Sequence, residues 1–373
     1  MSGEGAALTR EEAFARIRLL RSPNVGPVSY LQLLRRFGTA SAALDALPDL
    51  VARGGKPYQP AVPGRIEDEI AAVRKLGARY LFHDTPGYPA ALRQLEHPPP
   101  ILTVRGDGAL AERPSVAIVG ARNASAGAVR LARTFAASLA EAGYAVVSGL
   151  ARGIDSAAHA GALAAMAEGG GTIGVIASGI DIAYPPENEA LQEDVASRGL
   201  LVAEMPPGTE PLARHFPWRN RIIAGLATGT LVVEAAPRSG SLITARLAAE
   251  AGREVMAIPG SPLDSRSQGC NHLIREGAVL VQSAEDVIEL LVGFTGTPRS
   301  RFREDEPQPF DDLAPVREVD SASIAALLSN APVAVDEIIR QSGAEAGAVQ
   351  MALVELELGG RIVRHAAGRI SLA

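Results

Sequence analysis

At 373 residues the chain exceeds the length of one ordinary hydrophobic core, so two or three domains are expected. Its composition is 47% hydrophobic with one cysteine, Cys270, and no apolar run of ~18 residues, which excludes a membrane span, a disulfide framework and a cysteine-rich metal site. The net charge of −6 argues against broad coating of nucleic acid, although one local basic strip remains possible.

The N-terminal part predicts a small helical domain over residues 1–60. Its first residues, MSGEGAALTREEA, lack the charged-then-apolar pattern of a signal peptide, so we expect a cytoplasmic protein. Thr9 and Glu12 have the spacing of a capping box at a helix start. The segment SPNVGPVSYLQLLRRFG then predicts helix, tight turn, helix and a stop at Gly38, as in a helix-hairpin-helix or SAM-like domain. Such hairpins either hold phosphates through backbone amides or serve only as packing units.

A Gly- and Pro-rich linker, RGGKPYQPAVPG, precedes a larger region over residues 65–292. A helix and two short strands come first, and from Ser115 onward strands and helices alternate. SVAIVG and YAVVSG are continuous apolar runs, as expected of parallel strands buried on both faces, and four more such strands follow. The alternation predicts an α/β fold with a Rossmann-like, doubly wound and mostly parallel sheet.

The C-terminal part predicts a linker over residues 293–318 and a winged helix over residues 319–373, made of three helices and a hairpin. This last domain holds six acidic residues against four arginines, so it lacks the basic surface expected of a DNA groove reader. A protein-contact or regulatory role is at least as well supported, while three arginines on the hairpin leave weak phosphate contact open.

Ligands of doubly wound sheets bind beyond the carboxyl ends of the strands, and four such ends carry suitable side chains here. The first, IVGARNASAGAVR, offers a helix N-terminus with Gly120, Arg122 and Ser125. These groups suit a phosphate, yet the spacing matches neither G-x-G-x-x-G nor a P-loop. An ordinary strand–helix turn with a solvated arginine is the alternative.

The second strand end, SGLARGIDSAAHAG, combines close backbone approach at Gly149 with the cation of Arg152. Asp155 lies where a helix N-cap belongs, and His159 follows four residues later on the same predicted face. A metal pair would need further ligands, and none is evident, so we predict a capping aspartate, a packed histidine and no metal.

The third segment, RHFPWRNRIIAG, gathers cations and rings in a chain that is only 4% aromatic. Its candidate DNA-contacting residues are Arg214, Phe216, Trp218, Arg219, Asn220 and Arg221. Arginines suit phosphates, and a ring that stacks on an unpaired base contributes about 1–3 kcal/mol with little dependence on base identity. The alternative is a helix start whose rings pack inward and whose arginines pair with Glu204 or Glu234.

The fourth strand end, PRSGSLITARLA, presents the hydroxyls and amides of Ser239, Gly240 and Ser241 to an anion. Helix capping by serine is the alternative, and both interpretations can hold together. No nucleophile lies beside a base, and no metal cluster or cofactor motif is present, so the sequence predicts binding without catalysis.

Together these loops resemble the DNA processing protein A family (DprA, also called Smf) over roughly residues 80–292. The motifs are VAIVGARNASAGAVRLA, VVSGLARGIDSAAHAGAL, FPWRNRIIAGLATGTLVVEAAPRSGSLITARLA and VMAIPGSPLDSRSQGCNHLIREGA. The resemblance implies binding of single-stranded DNA on the Rossmann-like domain, homodimerisation through that domain, and transfer of DNA to the recombinase RecA in natural transformation.

The resemblance also implies residue roles in three motifs: a first phosphate loop with Gly120, Arg122 and Ser125, an F-x-x-R-N-R segment from Phe216 to Arg221, and a Ser-Gly-Ser loop from Ser239 to Ser241. Trp218 stands where a basic residue is common, and Arg214 is the nearest candidate for a basic residue expected before Phe216. We therefore expect one short groove that binds phosphates and unpaired bases. The rival hypotheses are an enzyme or sensor for a free nucleotide, resembling the phosphoribohydrolases but without their P-G-G-x-G-T loop, and a scaffold that only recruits RecA.

Overall fold

The computed structural model of the chain describes the following residues: 8–52, 58–165, 170–292, 320–365 and 368–373. By their contacts these residues form two units, which divide between Asp68 and Glu69. The larger unit holds the described residues from Glu69 to Val292, and the smaller unit joins the described residues before Glu69 to those from Asp320 onward. The predicted linker over 293–318 lies outside the described residues.

The helices in these ranges are α1 (Arg10–Leu20), α2 (Pro27–Phe37), α3 (Ala40–Ala52), α4 (Pro63–Lys75), α5 (Ala90–Arg93), α6 (Ala126–Glu141), α7 (Ile154–Ala164), α8 (Glu189–Arg198), α9 (His215–Leu226), α10 (Gly240–Glu250), α11 (Gln268–Arg275), α12 (Ala284–Val292), α13 (Ser321–Ala325), α14 (Val335–Ser342) and α15 (Ala346–Leu358). The strands are β1 (Arg79–Phe82), β2 (Ile101–Gly106), β3 (Ser115–Val119), β4 (Ala145–Ser148), β5 (Gly171–Ile176), β6 (Leu200–Ala203), β7 (Gly229–Val232), β8 (Glu254–Ala257), β9 (Val279–Leu280), β10 (Val333–Ala334), β11 (Ile362–His365) and β12 (Arg369–Leu372). Among the described helices, none combines the length and the hydropathy that crossing a membrane requires.

The larger unit is built on a nine-stranded sheet with the order β1-β2-β6-β5-β4-β3-β7-β8-β9. Strands β3 to β9 pair in parallel, while β1 and β2 pair antiparallel and extend one edge. This mostly parallel arrangement confirms the predicted Rossmann-like fold.

Helices cover both faces of this sheet, because every residue of β3 is buried and successive side chains point to opposite faces. Val116 and Ile118 pack in a core with α6, α7 and α12. Ala117 and Val119 pack in a second core with α5, α9, α10 and α11. The continuous apolar run SVAIVG is therefore explained by burial on both sides.

The strand order reverses at β3, which has β4 on one side and β7 on the other. From β3 the chain moves outward through β4 and β5 to β6, and it then returns to β7 on the other side of β3. The strands before and after this return therefore extend the sheet in opposite directions from β3. Such a reversal opens a crevice at the carboxyl ends of the two strands where the order changes. The first and fourth predicted strand ends, at Gly120 and Glu234, lie there.

The N-terminal helices of the smaller unit begin and end largely as predicted. Thr9 Oγ1 accepts a hydrogen bond from the Glu12 amide at 3.2 Å and caps α1. The other hydrogen bond of the predicted capping box, from the Thr9 amide to the Glu12 carboxylate, was predicted wrongly. The Glu12 carboxylate instead accepts from Arg16 Nε at 3.1 Å and from the Ala40 amide at 2.8 Å. This carboxylate ties the start of α3 to α1. Gly38 ends α2 with a φ of +77°, as its position in the sequence predicted.

The C-terminal residues of the smaller unit form a winged helix, which confirms the predicted order of elements. Three helices, α13, α14 and α15, precede the antiparallel hairpin of β11 and β12, and β10 adds the third strand in the order β10-β12-β11. A separate core formed by α13, α14, α15 and the hairpin fills the space between them.

Candidate nucleic-acid interface

The N-terminal half of α9 lies against the turns that follow β3, β4 and β7. The guanidinium carbon of Arg122 is 5.1 Å from the centroid of the Phe216 ring, and that of Arg219 is 5.9 Å from the same centroid. The side-chain amide of Asn220 donates to the carbonyl oxygen of Gly240 at 3.5 Å. At the carboxyl edge of the sheet, the first, second and fourth predicted segments therefore all contact the third, which forms the start of α9.

Phe216 also has a neighbour that the sequence did not reveal. The ring of Tyr184 meets it edge-on, with centroids 5.6 Å apart, and Tyr184 is 42% exposed. Tyr184 lies in the loop after β5, a strand end that was not among the four predicted ones. An aromatic residue before two prolines was the sequence feature that could have indicated it. We call Arg122, Tyr184, Phe216 and Arg219 the Phe216 cluster.

The helix α9 separates the predicted contact residues onto two faces. Phe216, Arg219 and Asn220 have the i, i+3, i+4 spacing of one face, which contacts the strand ends. Trp218 and Arg221 share the other side, where the guanidinium carbon of Arg221 is 5.5 Å from the Trp218 ring centroid. The expected single groove thus becomes two surfaces: the Phe216 cluster borders the ends of β3 and β4, and Arg221 faces Glu204 at the end of β6.

Arg221 is held within the protein on that outer side. It pairs with the carboxylate of Glu204 and donates to the carbonyl oxygen of His97 at 2.9 Å. For Arg221 the structure therefore shows the alternative interpretation, an arginine paired with Glu204. Trp218, by contrast, is 43% exposed and does not pack inward. Arg214 is exposed immediately before α9.

Arg219 is a buried cation, only 7% exposed, at the base of the Phe216 cluster. A Cβ atom at Gly149 would lie 1.5 Å from its Nη1, so glycine at this strand end makes room for the guanidinium. Burial lowers the pKa of Arg219 to about 10, although the Asp155 carboxylate opposes that shift. Its Nε has no hydrogen-bond partner among the described residues. Arg219 thus places a buried positive charge, with one unpartnered donor, beside the Phe216 ring.

Asp155 is the counter-charge to Arg219 and does not cap α7, because the N-cap position belongs to Gly153. Its carboxylate accepts the amides of Gly149 at 3.2 Å and Ala151 at 3.4 Å. Burial raises the pKa of Asp155, and the charge of Arg219 opposes that rise. The predicted capping role is corrected: Asp155 fixes the turn after β4 and faces the buried arginine.

His159 is a packed histidine, as predicted. Its Nδ1 lies 2.7 Å from Thr172 Oγ1, and its Nε2 accepts the Leu150 amide at 3.4 Å, which assigns the proton to Nδ1. Burial, with a further contribution from Arg219, lowers the pKa of His159 to about 3. Within the described residues no group of three or more metal-binding side chains is found.

An internal carboxylate satisfies the N-terminus of α6. Ser125 caps the helix by accepting the Ala128 amide at 3.1 Å. Its own amide and hydroxyl donate to the two oxygens of Glu234, at 3.0 and 2.7 Å. A Cβ at Gly120 would lie 2.9 Å from the Glu234 carbonyl oxygen, so that glycine permits close packing of the two strand ends. The groups expected to hold a phosphate at Ser125 already bind an anion of the protein.

The Ser-Gly-Ser loop after β7 caps α10. Ser239 Oγ accepts the Ser241 amide at 3.4 Å and lies 2.7 Å from the Ser241 hydroxyl. Gly240 is exposed, and the preceding Arg238 is exposed with a left-handed φ of +69°. Helix capping, the alternative interpretation of this loop, is observed for Ser239. Arg238 is a nearby cation that the sequence did not single out.

Arg152, after β4, lies near Tyr184 but is not part of the Phe216 cluster. Its side chain is 62% exposed and pairs with Glu187. The hydrogen bond and charge of that glutamate raise the pKa of Arg152, with a smaller contribution from Tyr184. Arg152 therefore belongs to the same exposed edge, with its charge partly neutralised.

Comparison with known proteins finds three family models that match successive parts of the chain. The family model described as DNA recombination-mediator protein A matches residues 79–292, a DprA-like N-terminal HHH domain matches 10–72, and a DprA winged helix domain matches 306–368. The DNA processing protein DprA of Streptococcus pneumoniae is 48% identical over 201 residues, which cover 54% of this chain and 70% of that protein.

Solved structures agree with this assignment. The X-ray structure of DprA from Streptococcus pneumoniae superimposes with a TM-score of 0.62 at 36% identity, covering 76% of this chain and 98% of that one. A structure of DNA processing protein A from Helicobacter pylori, described for its single-stranded DNA binding mode, has a TM-score of 0.51 at 29% identity and covers 58% and 95% of the two chains. This chain belongs to the DNA recombination-mediator protein A family.

Proposed function

We propose that this chain binds single-stranded DNA at the Phe216 cluster. The observation that carries the proposal is the half-buried Phe216 ring, which lies between two guanidinium groups and the exposed ring of Tyr184 at the carboxyl edge of the sheet. A ring beside cations suits a strand whose bases are unpaired, because stacking needs an accessible base face and phosphates need positive charge. The Helicobacter pylori relative, whose printed description names single-stranded DNA binding, supports the same substrate.

Arg122 is the cation that we assign to the phosphate backbone. It is exposed, and among the described residues no carboxylate lies within ion-pair distance of it. An exposed arginine without an acidic partner gives up no protein contact when it binds a phosphate oxygen. Arg214 and Arg238, both exposed near the same edge, are further candidates for the path of the backbone.

Arg219 is the buried cation of the cluster and acts in a different way from Arg122. Its buried charge, with an unpartnered Nε, raises the positive potential where a phosphate approaches Phe216. Gly149 contributes by leaving space for the guanidinium. Asn220 holds the Gly240 carbonyl and so fixes α9 against the Ser-Gly-Ser loop.

The remaining predicted contact residues take structural roles in this proposal. Ser125 and Gly120 hold the Glu234 turn, Ser239 caps α10 by accepting the Ser241 amide, and Arg221 pairs with Glu204. Trp218 lies on the outer side of α9 and does not enter the proposed contact.

The geometry disfavours the rival hypothesis of an enzyme or sensor for a free nucleotide. A nucleotide phosphate in a Rossmann-like fold binds the amides at the helix after the first strand. In this chain the Glu234 carboxylate accepts from the amide and the hydroxyl of Ser125 at that helix, and a second anion beside it would be repelled.

We further propose that the chain acts in natural transformation and recombination as a homodimer, that it protects single strands, and that it loads RecA onto them. Support comes from membership of a family described as recombination mediators and from relatives named DNA processing proteins. We propose a non-catalytic, cytoplasmic role that needs no cofactor.

A fluorescence-anisotropy titration without RecA tests the proposed activity. Labelled oligo-dT and a duplex of equal length are compared at about 50 and 200 mM salt. We expect tighter binding of the single strand and a marked loss of affinity at the higher salt. Arg122→Ala should weaken binding and reduce the slope of log affinity against log salt by about one, whereas Arg133→Ala, an exposed arginine in the middle of α6, should not.

Two results would contradict the proposal. If the duplex binds as tightly as the single strand at both salt concentrations, the cluster does not select unpaired bases. If the chain binds neither DNA until RecA is added, the scaffold hypothesis is correct instead.

A further inference from the structure

The helix α15 of the winged helix has two buried sides. Towards its own domain, Val349, Leu353 and Leu356 pack in the core formed with α13, α14 and the hairpin. Towards the N-terminal helices, Val354 and Leu358 are also buried, and they belong to a second core that contains residues of α1, α2 and α3. Met351 packs against this second core as well.

Polar contacts fix the position of α15 on the N-terminal helices. Asn24 Nδ2 donates to the Leu358 carbonyl oxygen at 2.8 Å, near the C-terminus of α15. Gln32 Nε2, on α2, donates to Gln350 Oε1 at 2.7 Å, nearer its start. The two hydrogen bonds lie about two turns apart on α15, so they restrain its direction as well as its contact.

Glu357 joins three elements at this contact. Its carboxylate accepts from the hydroxyl of Ser29 on α2 and from Nε of Arg364 on β11 at 2.9 Å. Only 14% of the Glu357 side chain and 16% of the Arg364 side chain are exposed. One of the three hairpin arginines that the sequence offered to phosphates is therefore part of an internal ion pair.

A helix that reads a DNA groove needs an accessible outer face with donors or cations for phosphates and base edges. The sequence of α15, AGAVQMALVELEL, has no lysine or arginine and carries Glu355 and Glu357. Its outer side lies against α2 and α3 through Met351, Val354 and Leu358. Both its charge and its packing oppose entry into a groove.

We infer that α15 is a docking helix for the N-terminal helical domain, so that the two ends of the chain form one composite domain and α15 does not contact DNA. The occupant of its outer face is the segment of α1 to α3 that already covers it. The winged helix then serves to close this composite domain, and any nucleic-acid contact it makes uses other surfaces.

Hydrogen–deuterium exchange on the full chain tests the inference. Met351→Arg places a charge in the contact, and Gln32→Glu with Gln350→Glu places two like charges opposite each other while leaving the apolar packing unchanged. In both variants we expect exchange to accelerate at least about threefold in 27–37 and in 346–358 together. Ala346→Arg, on the exposed start of α15, is the matched control and should leave both segments unchanged.

The exchange of β11 and β12 distinguishes opening of the contact from loss of the winged-helix fold. If the hairpin stays protected and 27–37 remains as protected as in the parent chain in both variants, α15 is not docked and the inference is overturned. A second arm adds a 30-base-pair duplex to the parent chain, where we expect unchanged protection of 27–37. Faster exchange of 27–37 with the duplex would show that DNA displaces the N-terminal helices, which also overturns it.

Discussion

At the scale of single residues, Arg219 and Asp155 are buried groups of opposite charge near the Phe216 ring, and each shifts the pKa of the other. No ion pair joins them among the described residues, so their attraction acts over more than contact distance. We therefore expect Arg219→Met to lower the free energy of unfolding of the larger unit by about 1–3 kcal/mol, measured by urea unfolding, because the Asp155 carboxylate loses a nearby positive charge. Asp155→Asn should also destabilise it, because two amides lose their charged acceptor.

The double variant separates this coupling from simple loss of packing. If the two side chains interact, Arg219→Met with Asp155→Asn should destabilise less than the sum of the single changes. Additive effects would show that the charges are independent. This experiment also shows how much of any loss in DNA binding by Arg219 variants comes from stability.

His159 gives the larger unit a predictable dependence on pH. Its pKa is about 3 when folded and 6.5 in an unperturbed chain, so below pH 6.5 the unfolded chain binds a proton that the folded chain does not. His159 therefore does not reduce the stability of the folded state above pH 6.5, and its proton uptake in the unfolded chain reduces that stability as pH falls from 6.5 towards 3. Between pH 7 and pH 5 this single group should lower the free energy of unfolding by about 2 kcal/mol.

His159→Asn is the variant that isolates this contribution, because an asparagine amide can donate to Thr172 in place of Nδ1. Urea unfolding at several pH values should give a shallower acid-side slope for the variant than for the parent. Equal slopes would mean that another group dominates the pH dependence.

At the scale of elements, the Glu234 carboxylate, just after β7, binds Ser125, the N-cap residue of α6. Glu234→Ala removes two hydrogen bonds to Ser125 and should destabilise the larger unit by about 1–3 kcal/mol. It also exposes the amide and hydroxyl at a helix N-terminus, where an anion is favoured. We expect inorganic phosphate to raise the melting temperature of the variant and not that of the parent, measured by scanning calorimetry. Equal stabilisation of both proteins by phosphate would contradict this account of Glu234.

The sequence was sufficient for the existence of α6 and the strands around it, because buried parallel strands are continuous apolar runs. A helix at the position of α9 was only the alternative interpretation of its segment. It was not sufficient for the partners of their side chains. Arg219 and Arg221 stand two residues apart in one motif, yet one faces Gly149 and Asp155 while the other faces Glu204. Only the rotation of α9 against distant segments decides which of the two arginines pairs with a carboxylate and which lies beside Phe216.

At the scale of the whole molecule, alternation of strands and helices predicted the Rossmann-like sheet, since each crossover is local in sequence. The association of α2 with α15 was not predictable in this way, because Gln32 and Gln350 are 318 positions apart and neither segment shows its partner in its own pattern. The apolar character of α15 on both sides was the available signal.

The central claim is that single-stranded DNA binds the face of α9 that carries Phe216 and Arg219, and not the face that carries Trp218 and Arg221. The most direct measurement compares oligo-dT affinities of Phe216→Ala and Trp218→Ala by fluorescence anisotropy, with circular dichroism to verify folding. The account predicts that Phe216→Ala costs about 1–3 kcal/mol of binding free energy and that Trp218→Ala leaves the affinity unchanged. A folded Phe216→Ala protein with the affinity of the parent, or a comparable loss in Trp218→Ala alone, would contradict it.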